Sequence, residues 1–205
     1  MNHNPVVENN DQETMRVRIL NHATRLFVAS GYIAISMREI AEAVGVSKAG
    51  LYYHFKDKED LFIAILKDNL EEVGRIVTYA LQTAPDAFTR LRIMTTRIFQ
   101  QPPQQRAIIR LASQEMGNIN PQTRADFMTT YHNEFIGRIE TILQEGIDRG
   151  ELRPNPPSVT CWILLGMMYP FFYPDPSRNE VSAEIIAEQI VQLFFYGLGI
   201  PEKTI

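Results

Sequence analysis

The sequence predicts an all-α chain of nine helices. Three observations carry this. Apolar residues recur at helical spacing along most of the 205 residues, no stretch of any length alternates as a strand would, and prolines and glycines fall mostly between the apolar stretches.

Taken in order, a first helix runs from about Asp11 to Ser30, with Leu20, Ala23 and Phe27 on one face and Gly31 as its stop. Ser36-Met37-Arg38-Glu39 forms a capping box: the serine oxygen accepts from the third helical amide while the glutamate reaches back. The helix it opens is short, because Gly45 follows the apolar face of Ile40, Ala41 and Val44. Ser47 caps another short helix through His54 or Phe55. Asp57, with Asp60 three residues on, caps a long one through Leu66, Leu70 and Val73 towards Ala80. Beyond it, Pro85, Pro102-Pro103, Pro121 and Pro154-Asn155-Pro156-Pro157 punctuate the chain and leave helices over roughly 86–101, 104–117, 121–149, 157–172 and 179–197. Gly150 closes the third of these five, and Pro174-Asp175-Pro176 separates the last two.

Composition bounds the function. Hydrophobic residues at 45% and charged residues at 21% describe a globular chain with a sizeable core. A net charge of −4 argues against a uniformly basic coat. Residues 14–58 nevertheless hold seven basic side chains against three acidic ones, a local +4, which leaves the rest near −8. The single Cys161 excludes an intrachain disulfide framework and suits a reducing compartment. Met1 to Asp11 has no apolar core, so no secretory signal is expected, and the longest uncharged apolar run, Ser158 to Tyr173, is too short to span a bilayer. A cytoplasmic protein without a membrane association is the expectation.

Residues 36–54 read as a helix-turn-helix hinged at Val44-Gly45-Val46. In that arrangement the second helix enters the DNA major groove while the first braces it against the backbone. Ser47 and Lys48 sit where a helix N-terminus favours phosphate, and Ala49 and Gly50 are small enough for close approach. Tyr52, Tyr53 and His54 follow as hydrogen-bonding aromatics, with Lys56 and Lys58 beyond them, and Leu51 and Phe55 anchor the inner face. The same pattern also describes helix pairs that never meet DNA.

The run from Ser36 to Leu61, with Leu51-Tyr52-Tyr53-His54-Phe55-Lys56-Asp57-Lys58 at its centre and Phe27-Val28-Ala29-Ser30-Gly31-Tyr32 upstream, closely resembles the DNA-binding segment of the TetR family of transcriptional repressors. The resemblance implies a homodimer of two-domain chains: a helix-turn-helix DNA-binding domain over 12–57 and a ligand-binding and dimerisation domain over 58–200, connected by the helix 58–80. By position it places Ser36 and Arg38 against phosphate from the bracing helix, and Ser47, Lys48, Ala49 and Gly50 against bases or phosphates. Tyr53, His54 and Lys58 would meet backbone phosphates, and Tyr52 lies partly in the interior with its hydroxyl available. The implied partners are a palindromic double-stranded operator, a second copy of the chain and a small-molecule effector.

Residues 86–200 match no motif. Met94, Phe99, Met116, Phe127, Met128, Tyr131, Phe135, Trp162, Leu165 and Met168 fall on helices that face one another and would line a cavity for an apolar or aromatic ligand, or simply fill a core. Arg97, Arg106, Arg110, Gln114 and His132 are candidates to anchor a polar group or plain surface side chains. The last two helices carry more apolar surface than a small domain covers. Val159, Ile163 and Met167 on one, with Ile186, Ile190, Leu193 and Phe194 on the other, suit a four-helix dimer interface. An enzyme is not expected, nor a cofactor or metal. The four histidines lie on separate segments without a ligand pair, Cys161 sits in an apolar helix that raises a thiol pKa, and no phosphate loop, dinucleotide signature or nucleophile elbow is present. Control by a protein partner instead of a small molecule is the alternative for a DNA-binding chain.

Overall fold

The computed structural model describes residues 5–173 and 181–198, and these contain nine helices and no strand. The expected proline break at 174–176 lies outside them. The chain runs α1 (Pro5–Ser30), α2 (Met37–Val44), α3 (Lys48–His54), α4 (Lys58–Thr83), α5 (Ala87–Gln100), α6 (Pro103–Glu115), α7 (121–148), α8 (Pro157–Met168) and α9 (Ala183–Leu198). A single 3₁₀ turn, Met116–Asn118, follows α6, and another, Tyr169–Phe172, carries α8 past Pro170.

The local signals set most boundaries. Ser36 makes both bonds of its capping box, and Gly45, at φ 76°, closes α2 in the left-handed conformation that glycine adopts without penalty. Ser47 Oγ accepts from the Gly50 amide at 3.0 Å, and Asp57 accepts from the Asp60 amide at 2.8 Å. Asp86 caps α5 through the Thr89 amide at 2.8 Å. Three helices depart from expectation at one end, the last of them α9, which begins at Ala183 instead of near 179 and leaves residues 181 and 182 outside the helix. α1 begins at Pro5, where the missing amide hydrogen and fixed φ of proline suit the first helical position. α8 ends as an α-helix at Met168 and tightens to 3₁₀ geometry at the proline.

Ile19, Ala23, Phe27, Ile40, Leu51 and Phe55 of α1 to α3, the N-terminal unit, pack with Leu61 and Phe62 from the first two turns of α4 at one end of a continuous apolar core. The rings of Phe27, Tyr32 and Phe62 meet at centroid distances of 4.7–5.8 Å, an arrangement of tilted and edge contacts. α4 then continues as the central helix of the larger bundle, with α5, α6 and α7 packed around it and α9 lying against α5. α4 thus packs both against the N-terminal unit and within the bundle, so a rotation of α4 in the bundle moves the N-terminal unit with it.

α7 is not uniform. Between Pro121–Tyr131 and Gly137–Asp148 it carries one π-helical turn, His132–Ile136. The cause lies across the interface in α4. A side chain at Gly74 would place its Cβ 3.0 Å from the Glu134 carbonyl oxygen, so the two backbones touch, and Arg138 donates to the Gly74 carbonyl at 3.1 Å and to Thr78 Oγ1 at 2.7 Å. The bulge re-aims Tyr131 and Phe135, whose rings meet at 5.7 Å, towards the bundle interior.

Candidate nucleic-acid interface and effector cavity

The N-terminal unit turns one polar surface outward. Ser36 and Arg38 on α2 are exposed, as are Ser47, Lys48, Ala49, Tyr52 and Tyr53 on and before α3, with Gly50 and His54 half-buried beside them. Tyr53 is 70% exposed. Leu51 and Phe55, four residues apart, are buried and fix which way α3 faces, as their spacing requires. Lys48 Nζ lies 5.8 Å from the Tyr52 ring, and the Tyr53 and His54 rings meet edge to face at 5.3 Å. A Cβ on Gly50 would make only ordinary contacts, 3.4 Å from Ser47 Oγ and 3.8 Å from Val46, so the protein's own packing does not demand glycine there.

Two polar groups are already engaged. Ser36 donates to Glu39 Oε2 from its Oγ at 2.6 Å and from its backbone amide at 2.8 Å, and these bonds hold the Glu39 carboxyl below the usual carboxylate range. Arg38 lies along α2 with its Nε 3.1 Å from Glu42, both side chains exposed, so a stronger anion can displace that pair.

Lys58 departs from expectation. Its ammonium turns inward and donates to the carbonyls of Tyr32 at 2.9 Å, Ile33 at 3.3 Å and Ile35 at 2.9 Å, with the Tyr32 ring 4.4 Å from Nζ. Three donors meet three acceptors, and the expected phosphate contact has no donor left. Burial lowers the Lys58 pKa, with Glu115 and Glu39 acting against that shift. The turn between α1 and α2 offers carbonyls that a sequence pattern cannot display. Replacing Lys58 by alanine should therefore lower stability by about 1 kcal/mol in chemical denaturation. It should leave the salt slope of DNA binding unchanged; a slope reduced by one unit would show that the lysine swings out to phosphate.

The larger bundle encloses a cavity of about 520 Å³, within the range of small-molecule sites. From α7, Phe127, Met128, Tyr131 and Phe135 line it, and from α8, Trp162, Leu165 and Met168, with Met116 at the end of α6. These eight are expected residues that the fold brings together. Met94 and Phe99 are not among them: both are buried on the faces of α5 that pack into the core, Phe99 against the rings of Phe171 and Phe172. The sequence reading missed the rest of the wall, most of which comes from Leu66, Asn69, Leu70 and Val73 of α4 and from Ile108, Ile109, Ala112 and Ser113 of α6, with Ile98 of α5 and the end of α8 completing it. The 3.6-residue period of α4 was visible, but that helix is buried on several sides and the period alone does not say which side adjoins a void.

None of the candidate polar anchors lines this cavity. Arg97 stacks on Tyr79 at 3.8 Å, Arg110 donates to the Phe172 carbonyl at 3.3 Å, Gln114 reaches Tyr173 Oη at 3.5 Å, and the exposed His132 lies 4.0 Å from Glu140. Arg106 keeps a buried Nε without a partner, again away from the lining. The polar groups at the wall are instead Asn69, Ser113 and the hydroxyls of Tyr131 and Tyr169. Burial raises the Tyr131 pKa, so its hydroxyl stays protonated as a donor, and the buried Cys161 thiol is pushed up to about 12, which leaves it unreactive.

The outward faces of α8 and α9 are apolar. Val159, Trp162 and Ile163 on α8, and Ile185, Leu193 and Tyr196 on α9, are each more than half exposed. Met167 and Ile186 are half-buried. Ile190 and Phe194, expected at this surface, are instead in the core, because α9 turns them inward while Leu193 faces out. Trp162 belongs to both features, with its ring against Tyr131 at 6.5 Å on the cavity side and half its surface open on the other. Among the described residues no group of three or more His, Cys, Asp or Glu is placed to hold a metal, and no helix is long and apolar enough to cross a membrane.

The geometry agrees with the comparisons. The family of bacterial regulatory proteins named tetR matches residues 19–65, and the tetracyclin repressor-like C-terminal domain matches residues 84–198. A transcriptional repressor of Mycolicibacterium smegmatis, KstR2, is 28% identical over 140 residues, 68% of each chain. A solved tetR-family regulator from Rhodococcus RHA1 superimposes with a TM-score of 0.80 at 24% identity, covering 92% of this chain and 98% of that one. The structure of AibR in complex with isovaleryl coenzyme A and operator DNA is 26% identical, with a TM-score of 0.75 over 88% of this chain and 98% of that one.

Proposed function

This chain belongs to the TetR family of DNA-binding transcriptional regulators, and from that premise we propose that it is a repressor released from a palindromic operator by a small apolar or aromatic ligand. The observation that carries the ligand is the cavity of about 520 Å³, walled almost wholly by apolar side chains and bounded by α4, the helix shared with the N-terminal unit. AibR, which was solved with a coenzyme A thioester and operator DNA together, supports one protein of this fold holding both kinds of partner. Such a regulator acts where its DNA is, in the cytoplasm. We divide the chain as 12–57 for DNA and 58–200 for ligand and dimer.

Reading and positioning fall to different residues. Ser47, Lys48, Ala49 and Gly50 open α3 and meet base edges or the phosphates beside them. Arg38, Tyr53 and His54 hold the backbone, with Ser36 and Tyr52 at the margin of the contact. Two such helices about 34–36 Å apart in a symmetric dimer reach successive major grooves. In this reading the dimer forms through α8 and α9, whose exposed apolar faces would be covered by the same faces of a second copy across a two-fold axis.

A selection for bound duplexes tests this. Wild-type protein should recover a palindrome. Lys48→Ala should relax preference at one base position, by roughly 1–3 kcal/mol if the lysine meets a guanine edge. Tyr53→Phe and His54→Ala should weaken all sequences alike. A motif unchanged by Lys48→Ala would reduce that residue to electrostatics, and recovery of no palindrome would end the reading.

Two hydrogen bonds support a route for the signal. Met116, at the cavity wall, follows Glu115, whose Oε1 accepts the Tyr32 amide at 3.2 Å in the turn after α1. Glu59, in the first turn of α4, accepts the Asn120 amide at 3.0 Å just before α7. A ligand that displaces the end of α6 therefore pulls on the N-terminal unit directly. It shifts the operator-bound conformation only as far as its affinities for the two conformations differ.

A further inference from the structure

The wall of the apolar cavity holds four polar side chains, and three of them have their donors engaged or in solvent. Asn69 gives its amide nitrogen to Gln105, at 3.0 Å from Oε1 and 3.3 Å from the carbonyl oxygen. Tyr169 shares its hydroxyl with Tyr173 Oη at 2.8 Å, and Ser113 is exposed at the edge, where water meets it. Tyr131 is the exception. Its Oη has no hydrogen-bond partner among the described residues, yet it is not sealed into the packing as Thr95 Oγ1 is. Burial raises the Tyr131 pKa, so the space its hydroxyl meets is the cavity and not bulk water.

The ring that carries this hydroxyl is held in place. Tyr131 ends the first α-helical stretch of α7, directly before the π-helical turn His132–Ile136. Its ring meets those of Phe127, Phe135 and Trp162 at centroid distances of 6.4, 5.7 and 6.5 Å, which restricts its rotation. One donor thus faces an interior whose wall, among the described residues, contains no Asp, Glu, Lys, Arg or His. A lone hydroxyl holds a water poorly, because a buried water typically makes about three hydrogen bonds. An acceptor atom on an apolar ligand takes that water's place and keeps its bond. A carboxylate or ammonium in the same position gives up its hydration and meets no counter-charge.

We infer that this cavity selects an uncharged apolar molecule with one hydrogen-bond acceptor, such as a ketone or ether oxygen, to which Tyr131 Oη donates. The inference rests on the reading of the cavity as an effector site and adds two rules of selection to it. Tyr131 rewards an acceptor, and the uncharged wall rejects an ion.

Trp162, the one tryptophan of the chain, lines the cavity beside Tyr131, so its fluorescence reports occupancy of the full-length protein without DNA. Benzophenone should quench it saturably, with one molecule bound per chain. Diphenylmethane, which has the same two rings and no carbonyl, should bind roughly threefold to tenfold more weakly, as loss of one neutral hydrogen bond requires. Methyl 4-benzoylbenzoate should bind, and the anion 4-benzoylbenzoate should bind roughly a hundredfold or more weakly than this ester. Tyr131→Phe removes only the hydroxyl. It should bring benzophenone down to the affinity of diphenylmethane and leave diphenylmethane unchanged, whereas a merely structural role would move both probes together. Equal binding of benzophenone and diphenylmethane, equal binding of the ester and the anion, or a benzophenone preference that survives in Tyr131→Phe would each overturn the proposal. In those cases an apolar molecule still occupies the cavity, and the effector reading stands. Binding of none of the probes would overturn both.

Discussion

A charge on the outward face of α8 or α9 should convert the protein to a monomer and remove most of its operator affinity. Ile163 and Leu193 are exposed, at 52% and 63%, so Ile163→Glu and Leu193→Glu leave the folded chain intact. In a two-fold interface each substitution occurs twice, and both carboxylates are buried without a cation. The cost per carboxylate is several kcal/mol, enough to dissociate a dimer at micromolar concentration. DNA affinity falls because the second N-terminal unit is no longer delivered to its half-site. With an effective concentration of order millimolar for the tethered unit and a half-site affinity of roughly 1–10 μM, separation costs about 100–1,000-fold. Sedimentation with circular dichroism, followed by operator titration at fixed salt, reads all three quantities. A folded variant that remains dimeric and binds operator as the wild type does would place the interface elsewhere.

Ile190 and Phe194 show why that face was only half legible. α9 is apolar over more than half its circumference, with Ile186 and Leu193 beside Ile190 and Phe194, so the helical period alone does not say which of the four face the core. Only the position of α5 decides that Ile190 and Phe194 point inward and Leu193 outward. Met94 and Phe99 failed for a related reason. α5 lies between α4 and α9, and of its apolar residues only Ile98 reaches the cavity, while Met94 and Phe99 fill the core beside it. Local chemistry carried further. Ser36 with Glu39, Gly45, Ser47 and Asp57 each satisfy or terminate backbone within four residues of themselves, and the helices they bound stand where the sequence put them. Lys58 is the counter-example on the polar side: its partners are carbonyls 23 to 26 residues away, in a turn whose shape exists only after α1 and α4 have packed.

Filling the apolar cavity should separate the two functions of the chain. Leu165 lines the cavity from α8, half-buried against it, and Leu165→Trp places an indole in a space of about 520 Å³. A ligand that protects the wild type from heat should then give no thermal shift, while operator affinity in its absence stays within the wild-type range. Met128 is the poorer site for this substitution, because it is exposed at the edge and a larger ring there can swing into solvent. In the wild type the ligand should weaken operator binding ~5–150-fold, the span of ordinary coupling free energies, and in Leu165→Trp not at all. Glu115→Ala offers the complementary outcome. It removes the acceptor for the Tyr32 amide but lines no part of the cavity, so both the ligand and the operator should still bind. What it should lose is the effect of one on the other, and by linkage the loss must be equal in both directions. Thermal shift with ligand, operator titration with and without it, and ligand titration with and without operator close that cycle. A Leu165→Trp protein that still releases DNA would move the effector out of this cavity. A Glu115→Ala protein with undiminished reciprocal coupling would show that the motion reaches the N-terminal unit through α4 alone.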